Sequence, residues 1–343
     1  MTIELDTFLT TVYCITDELY QQRFAPLKPK RPGKKPALSD SEVLTLTILA
    51  QWQTSRSERA FGEYAANHWR SYFPRLLSQS QFNRRSRDLV GVLAALGPAI
   101  AWELTRLLGT PAYEVLDGVP VPLMRRCRGD RHRCFRDEAA VGCGGSDRDW
   151  YYGVKLLTSV NEHGLITGFV VGPANTEERW LAEALLRWRA LPQAAPPQAA
   201  DLEAVLTPRG KKRGPRRGPS GPVGLASGVG QATAELYIAD LGYAGEVWEA
   251  HWQADYGASV LTEAAFDGQA EEGKLERQLH GLRQVVETVN QGLDGQVGLK
   301  FPRARTWWGL LTRVAAKVAA YNISLVLNHL HHRPTFAFVS PFA

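Results

Sequence analysis

The chain has 343 residues, 44% hydrophobic and 22% charged, with 31 glycines, 20 prolines and four cysteines. That composition suits about two folded domains with a sizeable core, and it excludes a disordered, collagen-like or disulfide-stapled chain. Forty basic residues against 35 acidic ones leave a net +5, too small a bias over this length to identify a nucleic-acid binder.

Position says more than the total. Residues 1–110 carry +4, 111–190 are neutral, 191–235 carry +3 and 236–343 carry −2. Three basic clusters stand out. The first is Lys28, Lys30, Arg31, Lys34 and Lys35 in a Pro-rich stretch, and the second is Arg125, Arg126, Arg128, Arg131, Arg133 and Arg136 around Asp130. The third, Arg209, Lys211, Lys212, Arg213, Arg216 and Arg217, has no acid among its members. No secretory signal opens the chain and no run of about 18 uncharged apolar residues predicts a membrane span. The expectation is a bacterial, cytoplasmic protein with reduced thiols and no membrane partner.

In chain order, Ile3, Leu5, Phe8, Leu9, Val12, Ile15 and Leu19 recur at helical spacing, and that helix must stop before Pro26. Ser39-Asp40-Ser41-Glu42 is a cap with an acidic first turn ahead of a second helix. Further helical patterns cover roughly 57–67 and 79–108. Residues 1–110 thus form a helical N-terminal domain, equally compatible with a helix-turn-helix DNA reader using Arg84, Arg85 and Arg87 and with a helical cap or dimerisation unit.

From Tyr113 the period changes to two. Tyr113 to Asp117 is a short strand ending in an acid, and Trp150–Val160 with Leu165–Val171 forms a hairpin across Asn161-Glu162-His163-Gly164. A helix at 177–191 follows, then a Pro/Gly-rich basic insertion at about 192–235, expected to be flexible. Leu236 to Asp240 is a second strand ending in an acid, followed by a helix near 245–254, a strand near 258–263 and helices at about 271–292 and 305–331. This order predicts an α/β domain over 111–335, a mixed five-stranded sheet flanked by helices.

Adjacent strands ending in Asp117 and Asp240 bring two carboxylates together, and Glu287 on a later helix offers a third. Such a set repels itself unless divalent cations neutralise it, and two hard cations about 3.5–4 Å apart suit in-line phosphoryl transfer. Cys127, His132, Cys134 and Cys143 invite a zinc reading, but Cys-x4-His-x-Cys-x8-Cys is not a standard knuckle spacing. Free thiols in an Arg-rich loop are favoured. Trp307-Trp308 and the Trp180/Trp188 pair fit core helices better than base-stacking platforms.

The motifs Asp117-Gly118-Val119-Pro120-Val121-Pro122, Tyr151-Tyr152-Gly153-Val154-Lys155-Leu156, Gly172-Pro173-Ala174-Asn175, Asp240-Leu241-Gly242-Tyr243 and Arg283-Gln284-Val285-Val286-Glu287-Thr288 occur in an order that resembles bacterial insertion-sequence transposases of the DDE type. The resemblance runs from about Leu38 to Leu330, outside the insertion. It implies an RNase H-like (retroviral integrase) catalytic fold, with Asp117, Asp240 and Glu287 as catalytic metal ligands for two Mg²⁺ or Mn²⁺ ions. It also implies cleavage of transposon ends carrying terminal inverted repeats, joining of the 3′-hydroxyl to target DNA, and a homodimer on DNA. Leu241, His280 and Asp294 stand where the pattern often has Lys, Tyr and Lys.

The expected DNA contacts are Arg283, Arg128, Lys155, Arg125, Arg126, Lys211, Lys212, Arg213, Arg216 and Arg217, through phosphate binding. Arg283 lies one helical turn from Glu287 on the same face. A catalytically inactive DNA-binding descendant and a metal-dependent nuclease of the same fold are the alternatives.

Overall fold

A computed structural model describes residues 3–28, 33, 36–52, 57–129, 134–135, 138–144, 149–190, 224–267, 272–337 and 339. Lys30, Arg31, Lys34, Lys35, Arg131, His132, Arg133, Arg136 and the cluster Arg209 to Arg217 lie outside the described residues.

Five helices open the chain: α1 (Leu5–Leu19), α2 (Asp40–Leu49), α3 (Glu58–His68), α4 (Gln79–Asp88) and α5 (Val90–Leu108). The predicted cap is present, with Ser39 and Glu42 forming a reciprocal capping box at the start of α2. Asp40 is buried beneath it and ties three segments together. It accepts from Tyr20 Oη at 2.7 Å and Arg85 Nη2 at 2.6 Å, and pairs with Lys28. Arg85 is thereby an internal strut, while Arg84 and Arg87 are exposed.

The sheet is mixed, with hydrogen-bonded order β5-β4-β3-β1-β6-β7 and a side strand, β2, on β3. Its members are β1 (Glu114–Arg125), β2 (Ala140–Gly144), β3 (Asp149–Asn161), β4 (Ile166–Pro173), β5 (Gly224–Val229), β6 (Leu236–Ile238) and β7 (Ser259–Leu261). β1, β3, β4 and β5 pair antiparallel in succession, whereas β6 runs parallel to β1 and β7 parallel to β6. A short α6 (Arg126–Gly129) follows β1, α7 (Glu178–Ala190) and α8 (Glu246–Tyr256) form one outer layer, and α9 (Glu272–Gly295) and α10 (Trp307–Leu330) close the chain.

Two expectations change. β1 does not stop at Asp117 but continues to Arg125 along β3. Pro120 and Pro122 lie two apart, so both present their missing N–H to one side, and beyond Val115 β1 has no partner on the β6 side. The expected loop at 192–235 contains strand β5, because Gly224–Val229 adds to the backbone edge of β4.

The N-terminal helices and the sheet share a single apolar core around α10. α5 and α10 have the length and hydropathy to cross a membrane, yet 89% of the α10 window is buried inside the protein, as a core helix is. They touch closely because Gly97 has no side chain, since a Cβ there would meet Val318 at 3.0 Å and the Ala319 backbone nitrogen at 3.3 Å. Asn322 on α10 bridges them to the sheet, donating to Gly97 O at 2.8 Å and Ile166 O at 2.9 Å while accepting from Ile166 N at 3.0 Å.

On the opposite layer a buried ion pair sets the frame. Glu114 of β1 has 0% side-chain exposure and Arg189 of α7 has 5%, and they meet at 2.7 Å. Glu114 also accepts from Thr167 Oγ1 at 2.7 Å, from Thr233 N and Oγ1 at 2.6 Å each, and from Ser159. Burial alone would raise its pKa, but Arg189 and the hydroxyls outweigh that and hold it below the ordinary carboxylate range. Its stabilising contribution is therefore complete at neutral pH and is lost as pH falls through the lowered folded value. Arg189→Ala, which leaves the carboxylate unpaired, is expected to lower unfolding free energy by about 3–5 kcal/mol in urea titrations at pH 7, with a smaller deficit in acid.

Candidate active site

Strand register brings the two predicted aspartates to one level. Val115 of β1 pairs with Ile238, the last residue of β6, so Asp117 and Asp240 each lie two residues past a paired position, Asp117 within β1 and Asp240 at the cap of the turn that follows β6. Residues two apart share a face, and Val115 and Ile238 belong to the core beneath α9 and α10. Both carboxylates meet α9, Asp117 through Asn290 and Asp240 through Arg283.

α9 meets them with a polar stripe. Leu279, Val286, Val289 and Leu293 form its buried side, while Arg283, Glu287 and Asn290 recur at i, i+4 and i+7 on another face. Asn290 Nδ2 donates to Asp117 Oδ2 at 2.6 Å. Arg283 Nη1 lies 3.5 Å from Asp240 Oδ1 and 3.7 Å from Glu263 Oε1. Glu287 sits on the stripe between them and is exposed. No described hydrogen bond joins Glu287 to either aspartate.

A further carboxylate completes the acidic side. Glu178, the first residue of α7, pairs with Lys155 Nζ at 3.0 Å. It reaches the site because Gly118 has no side chain: a Cβ there would lie 2.8 Å from Glu178 Oε1. At Gly242 the corresponding distance to Glu178 Oε2 is 3.3 Å. Gly118, next to Asp117, and Gly242, two residues past Asp240, therefore make the seat for Glu178.

Burial, followed by the negative charges of Glu178 and Asp240, pushes the Asp117 carboxyl up to about 7, against the pull of Arg283 and the Gly118 N–H. Three buried polar atoms beside this group, Arg283 Nε, Asn290 Oδ1 and Tyr243 Oη, have no hydrogen-bond partner among the described residues. Among those residues no three His, Cys, Asp or Glu side chains already stand in metal-ligand geometry. Nevertheless, oxygen donors on three elements, mutual repulsion and orphaned polar atoms around them form a chemistry that suits hard divalent cations.

The remaining predicted residues divide. Arg283 and Lys155 belong to the site. Arg125 and Arg126 are exposed at the far end of β1, with the Arg126 guanidinium 5.0 Å from the Trp150 ring centroid, and Arg128 follows in α6. Lys211, Lys212, Arg213, Arg216 and Arg217 lie outside the described residues. Cys127 forms no disulfide among the described residues. Trp307 is buried, whereas Trp308 is 45% exposed. Trp180 packs edge-on against Trp248 at 5.0 Å. Of the departures from the family pattern, Leu241 is exposed, and Asp294 pairs with Lys300 at 2.8 Å.

Sequence reasoning missed Glu178 and Asn290. Asn290 was available from helical spacing, three residues beyond Glu287. Glu178 carries no comparable local signal, since its role depends on contact with two distant glycines. Comparison with protein-family models, curated proteins and solved structures gives no match to the chain.

Because the Asp117 pKa is raised on folding, folded protein loses stability as pH climbs from the ordinary value of 3.8 towards about 7, where the folded group ionises. Without divalent metal, Asp117→Asn is expected to melt at a higher temperature than wild type at pH 7.5 and to converge with it near pH 4. Differential scanning calorimetry across that range checks this.

Proposed function

We propose that the chain is a DDE-type DNA transposase with an RNase H-like catalytic sheet, which cuts its own transposon ends and joins the 3′-hydroxyl to target DNA. The observation that carries this reading is that Asp117 and Asp240, each two residues past the paired Val115 and Ile238 of parallel β1 and β6, meet Asn290 and Arg283 of the α9 stripe that also bears Glu287. The antiparallel β1, β3 and β4 unit extended by parallel β6 and β7 supports the fold assignment.

Asp117, Asp240 and Glu287 would hold Mg²⁺ or Mn²⁺. When bound, such ions activate a water or 3′-hydroxyl and stabilise the leaving oxygen of an in-line displacement. The chain's own groups prepare that chemistry. Asn290 orients the Asp117 carboxylate, and the Leu241 N–H fixes Asp240 Oδ1 at 2.7 Å. Arg283 supplies a positive charge over the acids, suited to a phosphate oxygen. Lys155, tied to Glu178, keeps that carboxylate at the strand glycines. Cations displayed on Arg125 and Arg126 extend the phosphate-binding surface, to which Arg128 and the segment Lys211 to Arg217 would add charge.

In assays on DNA carrying the element's terminal inverted repeats, Mg²⁺ or Mn²⁺ is expected to support cleavage and strand joining by the wild-type chain. Asp117→Asn, Asp240→Asn and Glu287→Gln should each reduce product about a hundredfold or more, equivalent to ~3 kcal/mol of transition-state stabilisation. Equal product from Asp240→Asn and wild type would refute the site. Cleavage without joining would assign a nuclease, and DNA binding without cleavage an inactive descendant.

A further inference from the structure

A sizeable cleft among the described residues lies away from Asp117 and Asp240. It opens between α2 to α4 and the turn joining α9 to α10, and encloses about 840 Å³. Volumes of this size accept a nucleotide-sized group. Its walls carry five cations, Arg87, Arg303, Arg305, Arg313 and Lys317, against two acids, Glu58 and Asp294.

Both acids are already engaged, Glu58 with Arg313 and Asp294 with Lys300. Arg87, Arg303 and Arg305 are exposed and form no ion pair among the described residues. Lys317 is buried with 6% exposure, and its ammonium donates to Val297 O rather than to a carboxylate. Burial, then the charges of Arg313 and Arg303, push its pKa down to about 7. Like charges gathered round a partly desolvated cavity raise the energy of the free protein, and an anion placed among them reverses the sign of each interaction.

The turn itself is strained. Arg303 has φ of 50°, a left-handed conformation that a long side chain seldom adopts and that directs attention to its site. Beside it Phe301 is 72% exposed, an aromatic face left in water at the cleft rim. Gln79 and Asn83 add amide groups opposite. Cations for phosphate, an aromatic face for stacking and amides for polar base edges are the components of a site for a single nucleic-acid strand.

The cleft also continues the acid site. Arg283, Glu287, Asn290 and Asp294 follow one stripe of α9, and Asp294 lines the cleft seven residues beyond Glu287, about 10 Å along the helix. We infer that this cleft binds a DNA strand leaving the acid site, its phosphates on Arg303, Arg305 and Lys317 and an unpaired base against Phe301. The strand's origin rests on the transposase reading, whereas the cleft's affinity for nucleic-acid phosphate does not.

Fluorescence anisotropy of labelled oligonucleotides with the full-length chain, in EDTA across a salt series, tests this. Arg303→Ala/Arg305→Ala is expected to weaken single-strand binding at least tenfold and to reduce the salt slope by about two. Phe301→Ala should weaken single-stranded more than duplex DNA. Unchanged affinity and slope in the double variant would overturn the inference. So would a wild-type chain that binds no DNA, or a variant that loses only thymidine monophosphate. Metal-dependent cleavage, scored separately, decides the transposase reading. Loss of strand binding in the variant beside a wild type that never cleaves would keep the cleft and remove the transposase.

Discussion

A carboxylate and a guanidinium, both out of water, hold the frame on which the site is built. Glu114 cannot remain ionised in the protein interior without compensation, and its partners come from β3, β4, α7 and the segment entering β6. Satisfying one charge therefore aligns four elements. The geometry extends directly to the chemistry. Along β1, Gly118 lies four residues beyond Glu114, about 13 Å away. Along α7, Glu178 lies eleven residues before Arg189, about 16 Å away. The helix thus lies beside the strand in the opposite sense. With Arg189 anchored at Glu114, its other end delivers Glu178 to Gly118.

The acid site has the opposite energetic character. Glu114 is ringed by donors and its pKa falls, whereas Asp117, three residues further along the same strand, is crowded by acids and its pKa rises. A buried carboxylate with too few donors is costly, and the fold tolerates it because the surrounding frame is strongly determined. The contrast separates a fully compensated acid from an uncompensated one on a single strand. It also explains the division of labour on α7, whose last turn neutralises Glu114 while its first residue adds repulsion to Asp117.

Much of this was legible from the residues. The Ser39 and Glu42 cap, the β3/β4 hairpin and the strands leading to Asp117 and Asp240 followed from local pattern, because each depends on residues close in sequence. Asp117 was misplaced at a strand end because Pro120 and Pro122 resemble terminators, and only the early end of β6 leaves the open side that accommodates them. β5 escaped notice because Gly224–Val229 has no apolar alternation and pairs through its backbone with β4. Glu178 was invisible because its seat is made by Gly118 and Gly242, remote in the chain. Spacing that identifies a helix face, as for Arg283 and Glu287, transfers to space; contact between elements does not.

Regional charge totals mislead for the same reason. Residues 236–343 sum to −2, which as a total describes a mildly acidic segment. In space that segment has two poles. Asp240, Glu263 and Glu287 gather with Arg283 near the strand ends, while Arg303, Arg305, Arg313 and Lys317 gather at the turn beyond α9. α9 joins the poles with one rigid polar stripe, its apolar side fixed by Leu279, Val286, Val289 and Leu293. The helix thus runs from a cluster of carboxylate oxygens at one end to a cluster of cations at the other, of which Arg303 and Arg305 form no ion pair among the described residues. The near-neutral sum therefore conceals a charge gradient along the helix, and such a gradient orients the field that any approaching anion meets.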